Sequence, residues 1–117
     1  MEQFKLNTRK ASEFAVVDLY GELDAHTAPQ LEEVFQDLIS HQEYHIIVNC
    51  EKLSYISSAG LGVFMAYIEE VRQKEGDIKL TNMNNKVYNV FDLLGFPTLY
   101  DILKDEEEAI SQFNSTK

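Results

Sequence analysis

The sequence predicts an α/β fold: one domain over residues 1–117, with a mixed, mostly parallel sheet of four to five strands and about four helices. Three observations predict it. Short runs rich in β-branched residues alternate along the chain with runs whose apolar residues recur every three to four positions. The first two strand-like runs are separated by only a tight turn, which makes an antiparallel hairpin. The run His45–Cys50 (HIIVNC) holds consecutive apolar side chains, as suits a strand covered on both faces.

The elements follow in order. Phe4–Thr8 and Phe14–Tyr20 form the hairpin, with Ala11-Ser12-Glu13 at its turn and Gly21 at its end. Thr27 opens a first helix: its hydroxyl is placed to cap, Gln30 sits at the reciprocal position, and Pro29 lies in the first turn where no N–H is needed. Leu31, Val34, Phe35, Leu38 and Ile39 share one face of it. The strand His45–Cys50 leads to a second helix from about Ser58 to Lys74, stopped by Gly76. Asp77–Thr81 is a further strand. Asn84 or Asn85 caps a third helix lined by Val87, Val90, Phe91 and Leu94, which Gly95 and Pro97 end. Thr98–Tyr100 reads as a short strand, and Asp105 with Glu108 starts a last helix docked by Ile110 and Phe113.

Composition narrows the function classes. The 117 residues are 44% hydrophobic, enough for a core without metal or disulfide staples. Twenty acidic against ten basic residues give a formal charge of −10, and no basic patch offsets it, which disfavours nucleic acid and anionic membrane as partners. The single cysteine, Cys50, fits a reducing compartment. The N-terminus lacks an apolar signal core and no stretch approaches a membrane span, so the expected location is the cytoplasm.

The segment Leu53-Ser54-Tyr55-Ile56-Ser57-Ser58-Ala59-Gly60-Leu61-Gly62 joins a buried strand to a helix and is the most unusual in the chain. Two glycines stand in the first turns of that helix, where each costs about 0.5–1 kcal/mol relative to alanine. Either they let the helix pack closely on the sheet, or they let a partner approach the backbone beside Ser57 and Ser58. The glycines match neither a dinucleotide fingerprint, since Met65 stands at the third glycine position, nor a nucleotide P-loop. Ser58 lacks the upstream glycine of a hydrolase elbow, which is Ile56 here. His26, His41 and His45 are the only imidazole bases, and His41 and His45 straddle a helix end and a strand start rather than one helical face, so no metal site or catalytic triad is predicted. A second acidic loop, Gly21-Glu22-Leu23-Asp24-Ala25-His26-Thr27, precedes the first helix. If the strands ending near Tyr20 and Cys50 are neighbours, Asp24 and Ser58 share the rim at the carboxyl ends of the strands. On the second helix Leu61, Phe64, Tyr67, Ile68 and Val71 form the inward stripe, and Val63 and Met65 widen the apolar arc.

Together, G-E-L-D-x-x-T (Gly21–Thr27) and L-S-Y-I-S-S-A-G-L-G (Leu53–Gly62) resemble the STAS domain family, the bacterial anti-sigma factor antagonists and related modules, and the order of elements agrees over nearly the whole chain. The resemblance implies a single STAS-like domain that is not an enzyme and needs no cofactor. It implies a partner-switching circuit in transcription regulation. The unmodified protein binds an anti-sigma factor that is also a serine kinase, releasing the sigma factor. Phosphorylation ends that binding, and a serine phosphatase resets it. The family's phosphoacceptor falls on Ser58, its preceding aspartate is replaced here by Ser57, a second candidate acceptor, and its acidic loop residue matches Asp24. Asp24, Ser57, Ser58, Gly60, Val63 and Met65 are then the expected partner-binding residues. The other function the family implies is a scaffold or ligand-sensing module without a phosphorylation cycle.

Overall fold

The computed structural model describes residues 3–95 and 100–115. Five strands form one sheet in chain order: β1 (Lys5–Ala11), β2 (Phe14–Leu23), β3 (His45–Ile56), β4 (Asp77–Thr81) and β5 (Ile102–Leu103). β1 pairs antiparallel with β2, and every later pairing is parallel. The connections are the helices α1 (Ala28–Ser40), α2 (Ser58–Gln73) and α3 (Asn85–Leu93), and α4 (Glu106–Ser115) ends the described chain.

Alternation along the strands divides the core in two. Val17 and Leu19 of β2, with Ile46, Val48 and Cys50 of β3, meet Leu31 and Phe35 of α1, Phe64 and Val71 of α2, and Phe91 of α3 in one large cluster. Phe14, Val16 and Ile47 point to the opposite face and meet Ala109 and Phe113 of α4. Three helices therefore cover one face and α4 alone covers part of the other, which is why β3 is apolar in succession rather than in alternation. Cys50 is fully buried, and burial pushes its thiol up to about 12.

Polar contacts pin α4. Arg9 Nη2 pairs with Glu106 Oε1 at 2.6 Å, and Arg9 Nε donates to Asp18 Oδ2 at 2.8 Å. Asp18, 7% exposed, also receives Asn7 Nδ2 at 3.2 Å and Asn49 Nδ2 at 2.9 Å. Lys79, 5% exposed, reaches Asp77 at 3.2 Å and Asp101 at 2.6 Å, with its ammonium 4.8 Å from the centre of the Phe113 ring.

Several expectations are corrected. β2 does not end at Gly21. Its φ of +87° and two slips in the β2–β3 register carry the strand through an irregularity to Leu23, and β3 runs on past Cys50 to Ile56 beside it. Thr27 does not cap α1 with its hydroxyl, and the cap lies a turn earlier, at Asp24. At the end of α2 the left-handed C′ residue is Glu75, with φ of 64°. Gly76 is needed for space instead, because a Cβ there would run into the Tyr44 carbonyl. Leu94 is 56% exposed and does not line the inner face of α3. Of the expected strand Thr98–Tyr100, Thr98 and Leu99 lie outside the described residues, as does Pro97, and the strand that pairs with β4 is Ile102–Leu103.

Candidate functional site

The extensions of β2 and β3 build the site. Past Asp18 and Asn49 the two strands continue together beyond the end of β4, and their last parallel pair is Leu23 with Ile56. The next residues, Asp24 and Ser57, leave the sheet side by side. The Ser57 N–H donates to the Leu23 carbonyl at 2.9 Å, and the Ser54 hydroxyl donates to the Gly21 carbonyl at 3.0 Å. The free edge of β3 is closed by α3: Asn84 accepts the Val87 N–H at 2.8 Å as its cap and donates to the Leu53 carbonyl at 3.0 Å. The acidic loop and the serine loop thus form one hydrogen-bonded unit on the carboxyl rim.

Ser57 is the N-cap residue of α2, in extended conformation, and its side chain makes no capping bond. Its Oγ is buried, with no partner among the described residues. Ser58 is the first helical residue and is exposed. The first helical bond runs from the Leu61 N–H to the Ser57 carbonyl at 3.0 Å, so the amides before Leu61 form the electropositive open end beside Ser58. From there Ser58, Ala59, Gly62, Met65, Ala66 and Glu69 make up the outward side of α2. Met65 is 49% exposed and borders a cleft of about 440 Å³ that Ile68, Arg72 and Tyr100 also line.

The two glycines separate here. A Cβ on Gly60 would sit 2.9 Å from both Ile56 Cγ1 and Leu23 Cγ, so Gly60 lets α2 close onto the strand ends. A Cβ on Gly62 would meet nothing within 4 Å. Gly60 is therefore a packing residue, and so is Val63, which is 5% exposed inside the main cluster. Neither presents a side to a partner; the outward arc narrows to Met65 and the small residues around it.

Asp24 is organised by a reciprocal box with Thr27. Asp24 Oδ1 accepts the Thr27 N–H at 3.1 Å and the His26 N–H at 2.9 Å, while the Asp24 N–H donates to Thr27 Oγ1 at 2.9 Å. The Ala28 N–H bonds the Asp24 carbonyl at 2.8 Å, which places the true start of the helical turn at Asp24. Held first by the Thr27 N–H, with help from the His26 N–H, the carboxyl lies below its ordinary range, so Asp24 is anionic at neutral pH. The signal for this box, Asp24-x-x-Thr27, stands in the sequence but lies upstream of the proline that marked the helix start.

Of the three histidines, His26 belongs to the Asp24 loop, and the other two lie away from Ser58. His45 opens β3 and packs against Phe14 and Phe113, and at about 3.3 Å per residue β3 carries Ser58 roughly 35 Å away from it. His41 Nδ1 lies 2.8 Å from the Asp37 carbonyl at the end of α1. Among the described residues no group of three or more His, Cys, Asp or Glu gathers to hold a metal, and no helix is long and apolar enough to cross a membrane.

Comparison with known proteins gives the family and the fold. The STAS domain family model matches residues 5–109. The anti-sigma-B factor antagonist of Staphylococcus aureus is 28% identical over 102 residues, covering 87% of this chain and 94% of the relative. Among solved structures, the anti-sigma factor antagonist SpoIIAA in its unphosphorylated form superposes with a TM-score of 0.80 at 29% identity, over 97% of both chains. The Bacillus cell fate determinant SpoIIAA in its phosphorylated form gives 0.71 at 29% identity, over 95% of this chain and 99% of that one. An anti-sigma factor antagonist from Mycobacterium paratuberculosis shares the fold, with a TM-score of 0.86 at 17% identity over 94% and 93% of the two chains.

Proposed function

The chain belongs to the STAS domain family, and from that premise we propose that it is an anti-sigma factor antagonist switched by phosphorylation of Ser58. The unmodified protein binds an anti-sigma factor that is also a serine kinase, and so frees the sigma factor. Transfer of phosphate to Ser58 ends the complex, and a serine phosphatase restores it. The protein is ligand and substrate in this cycle, not enzyme, and the cycle runs in the cytoplasm.

The observation that carries the reading is the pairing of an exposed hydroxyl with a buried one. Ser58 projects from the open end of α2 beside the anionic Asp24 loop, whereas the Ser57 oxygen is buried. A kinase has access to the Ser58 hydroxyl and not to the Ser57 hydroxyl, which supports Ser58 as the acceptor. Phosphate at that point adds about −1.5 to −2 charges. The free amides and the helix dipole accommodate them without unwinding α2. The partner, seated over Ser58, Ala59, Gly62 and Met65, meets that charge and bulk together. Gly62 supports the docking surface: a helix accepts the cost of an exposed glycine without internal need when something outside comes close to the backbone.

A paired pull-down from the host tests the reading, with Ser58→Ala and Ser58→Asp as baits. Retention of a kinase-like anti-sigma factor by the first and its loss by the second is the expected outcome. Equal retention by both would remove the switch from Ser58 and favour a constitutive scaffold.

A further inference from the structure

We infer that Thr27 is a positioning residue for partner recognition: its hydroxyl fixes the Asp24 carboxylate on the rim, so that one oxygen is saturated from within and the other is left for a cationic group of the partner. The inference rests on the proposed docking of an anti-sigma factor on this rim, where the family resemblance puts Asp24 among the partner-binding residues.

The geometry is specific to a hydroxyl with both a proton and lone pairs. Thr27 Oγ1 donates to the Glu22 carbonyl at 2.9 Å, which ties it to the last residues of β2. The same oxygen accepts the Asp24 N–H at 2.9 Å and lies 3.2 Å from Asp24 Oδ1. The one hydroxyl proton faces both the Glu22 carbonyl and Asp24 Oδ1, so removing the hydroxyl takes a donor away from the carboxylate. Thr27 thus closes a ring from strand end to loop to helix start. Oδ1 receives the Thr27 and His26 amides, whereas no hydrogen bond to Oδ2 forms among the described residues. Two amides on one oxygen fix the carboxylate's rotation, which side-chain entropy would otherwise oppose on binding. The neighbouring bond from the Ser57 N–H to the Leu23 carbonyl then holds this carboxylate in register with Ser58.

The test uses the full-length protein with two independent readings: titration of the Asp24 carboxyl carbon by NMR in the free protein, and affinity for the host's purified anti-sigma factor kinase. Thr27→Val keeps the shape and removes the hydroxyl. It is expected to move the Asp24 titration up toward the ordinary carboxylate range and to weaken binding about tenfold. Thr27→Ser is expected to restore both. Asp24→Asn should weaken binding, and adding Thr27→Val to it should weaken it no further, because the two act through one group. Melting temperature controls for the fold, with Thr27→Ala replacing the valine variant if that one unfolds. Wild-type titration and affinity in Thr27→Val would overturn the inference, as would additive losses in the double variant. Undiminished binding by Asp24→Asn would overturn it too, by removing Asp24 from the interface. Failure of the switch itself is read separately, by Ser58→Asp binding as well as wild type.

Discussion

Gly60 and Gly62 are the same residue type, two positions apart on one helix, with opposite reasons for being there. Gly60 has Ile56 and Leu23 where its Cβ would go, and Gly62 has open space. Gly60→Ala should therefore destabilise the protein by about 1–3 kcal/mol through overpacking at the strand ends. Gly62→Ala should stabilise it by about 0.5–1 kcal/mol by removing the helix penalty. Urea unfolding measures both signs, and a destabilised Gly62→Ala would show that the outward face of α2 is not free. The same substitution should weaken binding of the anti-sigma factor, so stability and binding move in opposite directions. The sequence showed that one or both glycines had a purpose, but spacing carries no information on which side of the helix a neighbour lies. Val63 was unreadable for the same reason: an apolar residue beside the inward stripe can widen the core or the surface, and the curvature of the sheet beneath it decides.

Among the elements, α4 is the one held least by the main core. Its buried apolar side chains lie in the small cluster with Phe14, Val16 and Ile47, and its other anchors include the Arg9–Glu106 pair, the Lys79–Phe113 contact and the packing of Phe113 against His45. Phe113→Ala should cost about 3 kcal/mol. Hydrogen exchange should show the loss concentrated in α4, with the slow amides of α2 changing less. Uniform acceleration throughout would mean that α4 opens only when the whole fold does. The existence of α4 was legible from its acidic start, and the Glu108 N–H does bond Asp105 Oδ1 at 3.0 Å. Its position on the opposite face was not, because helix periodicity says which side is buried and not which layer it meets. The hidden part of β3 has a sharper cause. Leu53 and Ile56 are both buried yet three residues apart, a helical spacing inside a strand. The ladder slips between Gly21 and Glu22, so Gly21 faces Leu53 while Glu22 faces Tyr55. The residue skipped is Ser54, in β3 itself; residue type does not mark which position a ladder passes over, and the extra residue lengthens the very segment that carries Ser57 and Ser58 to the rim.

At the scale of the molecule, charge works in two directions as pH falls. At neutrality the formal charge of −10 disfavours the compact state by self-repulsion, and protonating surface carboxylates relieves it. Asp18 acts oppositely. Burial raises its pKa, but donation from Arg9, Asn49 and Asn7 outweighs that and leaves it below the ordinary value. A depressed carboxyl contributes stability above its unfolded pKa of about 3.9, and loses it as pH drops toward the lower folded value. Stability should therefore rise or hold on mild acidification and fall steeply below about pH 4. Urea midpoints from pH 7 to pH 2 check this, with Asp18→Asn as the comparison. The variant should be less stable at neutrality and flatter below pH 4, and parallel curves would place the acid sensitivity elsewhere. One further consequence follows from the Arg9–Glu106 contact, which joins residues 97 positions apart. During synthesis β1, β2 and β3 leave the ribosome long before α4 does. Until the last segment emerges, Phe14, Val16 and Ile47 have no cover on their side of the sheet, and Arg9 has only half of its carboxylate partners. The nascent chain can assemble the rim and the face beneath α1, α2 and α3 while its reverse side is still bare, so a chain exposed outside the ribosome as far as α3 would present a nearly complete recognition surface with an adhesive back.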